Sequence, residues 1–183
     1  MKTYVLLYNG FVQFEIMLTL LLLKDKSEIL TFTIDEKTVL CHEKLNVLAE
    51  LGLEDVSPDD VDLLLIPGGE PGAYKDRNDV NSLIREIYNQ GKHIAAICGG
   101  PEFLANAGVI TGKRITHGHT EEYASVVFAD CIIEDEDVVV EGNIITARGQ
   151  AYAEFAVEIC RQLDLFENEE EAIETLNWLK NQS

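Results

Sequence analysis

Two short segments show almost no polar alternation, and each ends on paired glycines. Val61–Pro67 (VDLLLIP) runs into Gly68-Gly69, and His93–Ile97 (HIAAI) runs into Cys98-Gly99-Gly100. A strand with one face in water alternates apolar and polar residues, whereas a strand covered on both faces does not. Between the two segments, Val80–Gln90 has helical spacing through Val80, Leu83, Ile84 and Ile87 and stops at Gly91. Two doubly covered strands joined by a helix predict a parallel sheet with helices on its faces.

The same reading extends over the chain. Tyr4–Tyr8 (YVLLY) is a buried strand stopped by Asn9-Gly10, Gln13–Lys24 a helix, and Glu28–Ile34 (EILTFTI) a second strand. Val39–Val56 does not resolve and is expected to hold short strands or a hairpin. Val138–Glu141 and Asn143–Thr146 flank Gly142 as a hairpin, and Ala151–Leu163 and Glu167–Lys180 read as closing helices. The 183 residues contain no repeat and no linker, so one domain over 1–183 is expected, with 164–183 an acidic C-terminal helix. Ala172, Ile173, Leu176 and Leu179 recur at helical spacing there and predict that this helix docks on the body or on a partner subunit.

Charge removes two classes of partner. Lysine and arginine number 14 against 33 acidic residues, for a formal net charge of −19. Such a surface repels phosphate backbones and anionic headgroups, so neither nucleic acid nor membrane is expected as a partner. The apolar N-terminal stretch is interrupted by Asn9, Gly10, Gln13 and Glu15, unlike a secretory leader, and a cytoplasmic location is expected. Cys41, Cys98, Cys131 and Cys160 show no CxxC spacing, which predicts free thiols and no structural metal.

Ala96-Ile97-Cys98-Gly99-Gly100 has the layout of a nucleophile elbow, with cysteine where serine hydrolases place serine. The sharp strand-to-helix turn needs small residues two before and two after the nucleophile, and Ala96 and Gly100 supply them. A thiol there lies near the start of the following helix, whose free N–H groups favour thiolate. Gly68 and Gly69, with Gly99, are positioned by sequence to offer backbone N–H groups to a developing oxyanion. Cys41, Cys131 and Cys160 lie in apolar contexts and read as packing residues. His117 and His119 form an H-x-H without a carboxylate or cysteine at ligand spacing, so no metal is expected there.

Three blocks, LLIPGGEPGA, AAICGGPEFLANAGVITGKRITHG and EGNIITARGQAYAEFAVEI, together resemble the ThiJ/PfpI superfamily, within the class I glutamine amidotransferase-like folds and nearest its deglycase branch. The resemblance runs from Tyr4 to about Leu163. It implies a flavodoxin-like three-layer α/β sandwich, usually dimeric, with Cys98 as the reactive cysteine. It also implies Glu15, in LYNGFVQFEI, as the acidic partner of the thiol, and His117 as a histidine near it. Protease-like branches carry histidine directly after the cysteine; here Gly99 stands there, which speaks against a peptidase of that type.

The expected function is that of a cofactor-independent cysteine enzyme acting on small reactive carbonyls or their adducts. Cys98, Glu15 and His117 are its expected catalytic residues, and no cofactor is expected. A redox-sensing or chaperone-like protein, or an intracellular cysteine peptidase or amidase, is the alternative. Glu15 is expected to hold the proton and leave Cys98 with a depressed pKa. A homodimer is expected because Phe14, Met17, Leu18, Leu21 and Leu22 exceed what one core face of a helix requires.

Overall fold

The computed structural model describes residues 1–182. In chain order the strands are β1 (Lys2–Leu7), β2 (Glu28–Thr33), β3 (Thr38–Leu40), β4 (Asn46–Leu48), β5 (Leu51–Gly52) and β6 (Leu63–Ile66). They continue with β7 (His93–Ile97), β8 (Arg114–Ile115), β9 (Ile132–Ile133), β10 (Val138–Glu141) and β11 (Ile144–Ala147). The α-helices are α1 (Phe14–Leu23), α2 (Asn78–Asn89), α3 (Pro101–Asn106), α4 (Glu121–Val127), α5 (Tyr152–Gln162) and α6 (Glu169–Leu179).

Seven strands form one sheet in the order β10-β11-β7-β6-β1-β2-β5. Every pairing in it is parallel except that of the edge strand β10 with β11. Helices cover both faces, as the unbroken apolar strands predict: Leu63, Leu64, Leu65 and Ile66 are all fully buried. At about 1.5–3 kcal/mol per fully buried aliphatic side chain, this central strand is a main source of stability. Leu64 pairs with Tyr4 on one side and Ile94 on the other, which fixes the register of the three central strands. Helices α1, α5 and α6 pack in succession, and α2 packs on α3.

The unresolved stretch from Val39 to Val56 turns out to be an antiparallel hairpin, β3 with β4, followed by the two-residue edge strand β5. The acidic tail helix α6 packs on α5 and buries Ala172, while Ile173 stays half exposed. Asn168 caps α6 by accepting from the Glu171 N–H at 3.0 Å. No helix among the described residues is long and apolar enough to cross a membrane.

The strand order reverses at β1. From β1 the chain builds outward through β2 and β5, then returns to build β6, β7 and β11 on the other side. A crevice opens beyond the carboxyl ends of strands at such a reversal. The segments leaving β1, β6, β7 and β11 therefore meet at one place.

Candidate active site

Cys98 follows β7 directly and adopts φ +59°, the left-handed region that non-glycine residues rarely occupy. Two backbone hydrogen bonds hold it there. The Cys98 N–H donates to the Ala147 carbonyl at 2.8 Å, and the Gly118 N–H donates to the Cys98 carbonyl at 2.7 Å. The elbow predicted from AICGG is present, and its strain is maintained by neighbouring strand ends.

Close packing explains the glycines around it. A Cβ at Gly100 would lie within 3 Å of the carbonyl oxygens of Ile66, Ile97 and Pro67. A Cβ at Gly99 would lie 2.3 Å from the Gly69 carbonyl oxygen. Gly118 and Gly149, which sequence reasoning did not single out, press on the sulfur itself. Their Cβ atoms would stand 2.8 Å and 3.1 Å from Cys98 Sγ. The only sequence signal for them is a glycine next to a charged or imidazole residue, in THGHT and ARGQA.

Glu15, the second residue of α1, is 3% exposed and in hydrogen-bond contact with the Cys98 thiol. Its Oε2 accepts the Gly68 N–H at 2.9 Å. That bond corrects the expectation for Gly68: its N–H is committed to the carboxylate and is not free for an oxyanion. The N–H groups that face the sulfur are those of Gly69 and Gly99.

Electrostatics also correct the sequence reading of the thiol. Burial pushes Cys98 up to about 12, and the Glu15 charge and its hydrogen bond push the same way. The Gly99 and Gly69 N–H groups oppose this without outweighing it. A helix of six residues starting on proline gives the sulfur too little help to depress its pKa. Burial raises Glu15 as well, against the pull of the Cys98 and Gly68 hydrogen bonds. Two buried acids in contact share one proton and titrate as a unit.

The contacts of His117 run to other groups. Its ring stacks on Phe128 with centroids 4.9 Å apart, and its Nδ1 accepts the His119 N–H at 3.1 Å. It lines a cavity of about 780 Å³ with Arg148 and Glu134. Burial, then the charges of His119 and Arg148, lowers its pKa. Its neighbour Gly118 packs directly against Cys98.

A second polar cluster was not anticipated. Glu102, 3% exposed in α3, accepts from the Tyr123 hydroxyl at 3.1 Å, and His119 Nε2 lies 3.3 Å from its other oxygen. These three residues line a cavity of about 560 Å³ that Gly69 and Gly118 also border. Among the described residues no group of three or more His, Cys, Asp or Glu side chains is arranged to hold a metal. All four cysteines are free; Cys41 and Cys160 are buried, while Cys131 is part-buried with its thiol donating to the Ile110 carbonyl at 3.4 Å.

The sequence profile of the DJ-1/PfpI family matches residues 1–162, the stretch that carries the sheet and every residue of the elbow. This chain belongs to the DJ-1/PfpI family. It is 35% identical over 130 residues to protein dj-1beta of Drosophila melanogaster, covering 69% of each chain. It is 30% identical over 157 residues to deglycase PfpI of Pyrococcus furiosus, covering 84% of this chain and 94% of that one. The crystal structure of Drosophila melanogaster DJ-1beta superposes with a TM-score of 0.83 at 27% identity, over 97% of this chain and 96% of that chain. A thiJ/pfpI family structure from Bacillus anthracis superposes at 0.86 and 23% identity, over 98% and 90%, and shows the shared fold.

Proposed function

We propose that this DJ-1/PfpI chain is a cofactor-independent cysteine enzyme that converts small reactive carbonyls, or the adducts they form, to hydroxy acids. The observation that carries the reading is the Cys98 elbow, strained to φ +59°, with Glu15 in contact with its thiol. Relatives named deglycase at 29–30% identity support it.

The chemistry follows from the shared proton. Glu15, as the carboxylate, takes the thiol proton as sulfur attacks the aldehyde carbon of a 2-oxoaldehyde, so no free thiolate has to form beside a second charge in the buried site. The oxygen left with the electron pair receives the N–H groups of Gly69 and Gly99, then the proton from Glu15, giving a hemithioacetal. Glu15 next moves the proton on that carbon to the neighbouring carbonyl carbon, while the hydroxyl proton passes to the neighbouring carbonyl oxygen. The product is a 2-hydroxy thioester. Water hydrolyses the thioester, releasing the hydroxy acid and the Cys98 thiol. For methylglyoxal the sum is methylglyoxal plus water to lactate, with no external oxidant or reductant.

Lactate formation from methylglyoxal tests this directly. Steady turnover supports it, and the Cys98→Ser chain should be inactive. No turnover, together with stoichiometric oxidation of Cys98 by dilute peroxide, favours a redox sensor instead, since the same N–H groups suit a sulfinate. Cleavage of a casein substrate that depends on Cys98 would favour the peptidase reading.

The chain is further proposed to act as a homodimer. Phe14, Met17 and Leu21 of α1 are 51%, 45% and 41% exposed, an apolar strip on one helix face. A dimeric mass by light scattering at tens of micromolar is the expected result, and a monomeric mass removes the proposal.

A further inference from the structure

Tyr8 immediately follows β1 and is 1% exposed. Its ring is held edge-on by Phe103 and Tyr74, with centroids 5.1 Å and 5.5 Å away. A phenol buried this deeply needs a partner for its O–H. The hydroxyl donates to the Gly68 carbonyl at 2.7 Å, with the Pro67 carbonyl a longer 3.3 Å away. The Val12 N–H donates to the same Gly68 oxygen at 2.9 Å, so that carbonyl is clamped from two sides.

The clamp has a geometric consequence. In a trans peptide the carbonyl and the N–H of one unit point in opposite directions, and the described chain has no cis bond. Fixing the Gly68 carbonyl therefore fixes the Gly69 N–H on the far side of the same plane. That N–H is one of the two that face Cys98 Sγ. The unit needs fixing because it joins two glycines, and Gly69 sits at φ +131°, where no side chain restrains rotation. A Cβ at Gly69 would lie 2.8 Å from the Tyr8 oxygen, so the hydroxyl packs directly on this peptide. A hydrogen bond on the carbonyl also polarises the amide and strengthens its N–H as a donor.

We propose that Tyr8 is a positioning residue: its hydroxyl, donating to the Gly68 carbonyl, holds the Gly68–Gly69 peptide so that the Gly69 N–H points at the Cys98 sulfur. The proposal rests on Cys98 being the reactive centre and names what keeps one arm of its donor pair in place. Tyr8 touches neither sulfur nor substrate and acts only through that peptide.

Tyr8→Phe keeps the ring and its packing and removes the hydroxyl alone. The measurement is the alkylation rate of Cys98 by iodoacetamide across pH, followed by mass spectrometry, which needs no substrate. The expected result is an apparent Cys98 pKa above that of the native chain and a rate about tenfold lower at fixed pH, the effect of one lost hydrogen bond to a charged group. Labelling of Cys131 should not change. A Tyr8→Phe chain that folds and alkylates at the native rate and pH dependence overturns the proposal. Should the variant not fold, the amide resonance of Gly69 in the native protein decides: it should shift as Cys98 ionises, and a flat resonance overturns the proposal equally. A chain that turns over no carbonyl would remove the proposed function and leave both of these measurements readable.

Discussion

Cys98 and Cys160 are the two thiols whose pKa is pushed up to about 12, and they reach that value by different physics. Cys160 lies inside α5, buried against the core, and desolvation alone raises it. Cys98 is raised by burial too, then by the charge and hydrogen bond of Glu15, and two N–H groups pull against them. A proton leaving Cys160 has nowhere nearby to go. A proton leaving Cys98 has a carboxylate in contact, whose own proton affinity burial raises. An acidity value therefore does not identify a reactive cysteine; the groups that accept its proton and its charge do.

The sharpest test of this contrast is replacement of each sulfur. Cys98→Ser should lower carbonyl turnover by at least about 10³-fold, because an unactivated hydroxyl replaces the nucleophile. Cys160→Ala should leave turnover within about twofold and cost roughly 1 kcal/mol of stability through a small core cavity. Lactate assays and urea denaturation measure the two effects, and equal losses of turnover would dissolve the distinction.

Next in size is crowding at the sulfur. Gly149→Ala sets a methyl group 3.1 Å from Sγ and 2.9 Å from Glu15 Oε1. Displacing either atom from its partner should lower kcat/KM about 10²-fold while the fold persists by circular dichroism. Native kcat/KM in that variant would show that the glycine cradle is dispensable.

Labelling gives a smaller but more direct comparison. Iodoacetamide should modify Cys98 at least about tenfold faster than Cys41 or Cys160, with part-buried Cys131 between, and the Cys98 rate should climb steadily above neutral pH. Peptide mapping with Cys160 labelled as fast as Cys98 would contradict it.

The smallest effect is on stability. Because Glu15 is raised in the folded state, its protonated form favours folding. That contribution is complete below the ordinary glutamate pKa of 4.5 and is lost as pH rises through the higher folded value. Glu15→Gln, which cannot ionise, should therefore melt a few degrees above the native chain at pH 7–8, with the gap closing below about pH 4.5. A gap that widened as pH fell would reverse the assignment.

The frame of this molecule was legible because its strands are short apolar runs whose burial is a local property. VDLLLIP and HIAAI needed no knowledge of their neighbours to be read as doubly covered. The two-residue strands β5, β8 and β9 were not legible, since so few residues carry no periodicity and form only because a partner is already present. In the site, Cys98 declared itself through the small residues beside it in sequence. Glu15 came only from the family resemblance, because a lone carboxylate at a helix start looks like any exposed one. Tyr8, Glu102, Gly118 and Gly149 were missed for a common reason: each matters through atoms tens of residues away. Gly68 was assigned to the right place and the wrong partner, because only the fold shows that Glu15 reaches its N–H first.

Gly99 limits what sequence change can make of this site. A side chain there would collide with the Gly69 carbonyl oxygen at 2.3 Å, in the Gly69–Glu70 peptide that directly follows the one Tyr8 and Val12 hold. Placing a histidine at position 99 thus requires that carbonyl to move. The Gly69–Glu70 peptide must turn first, and the backbone of Gly69, whose N–H faces the sulfur, is one of the two that must absorb the turn. Any library that varies position 99 must therefore vary the backbone at Gly69 with it.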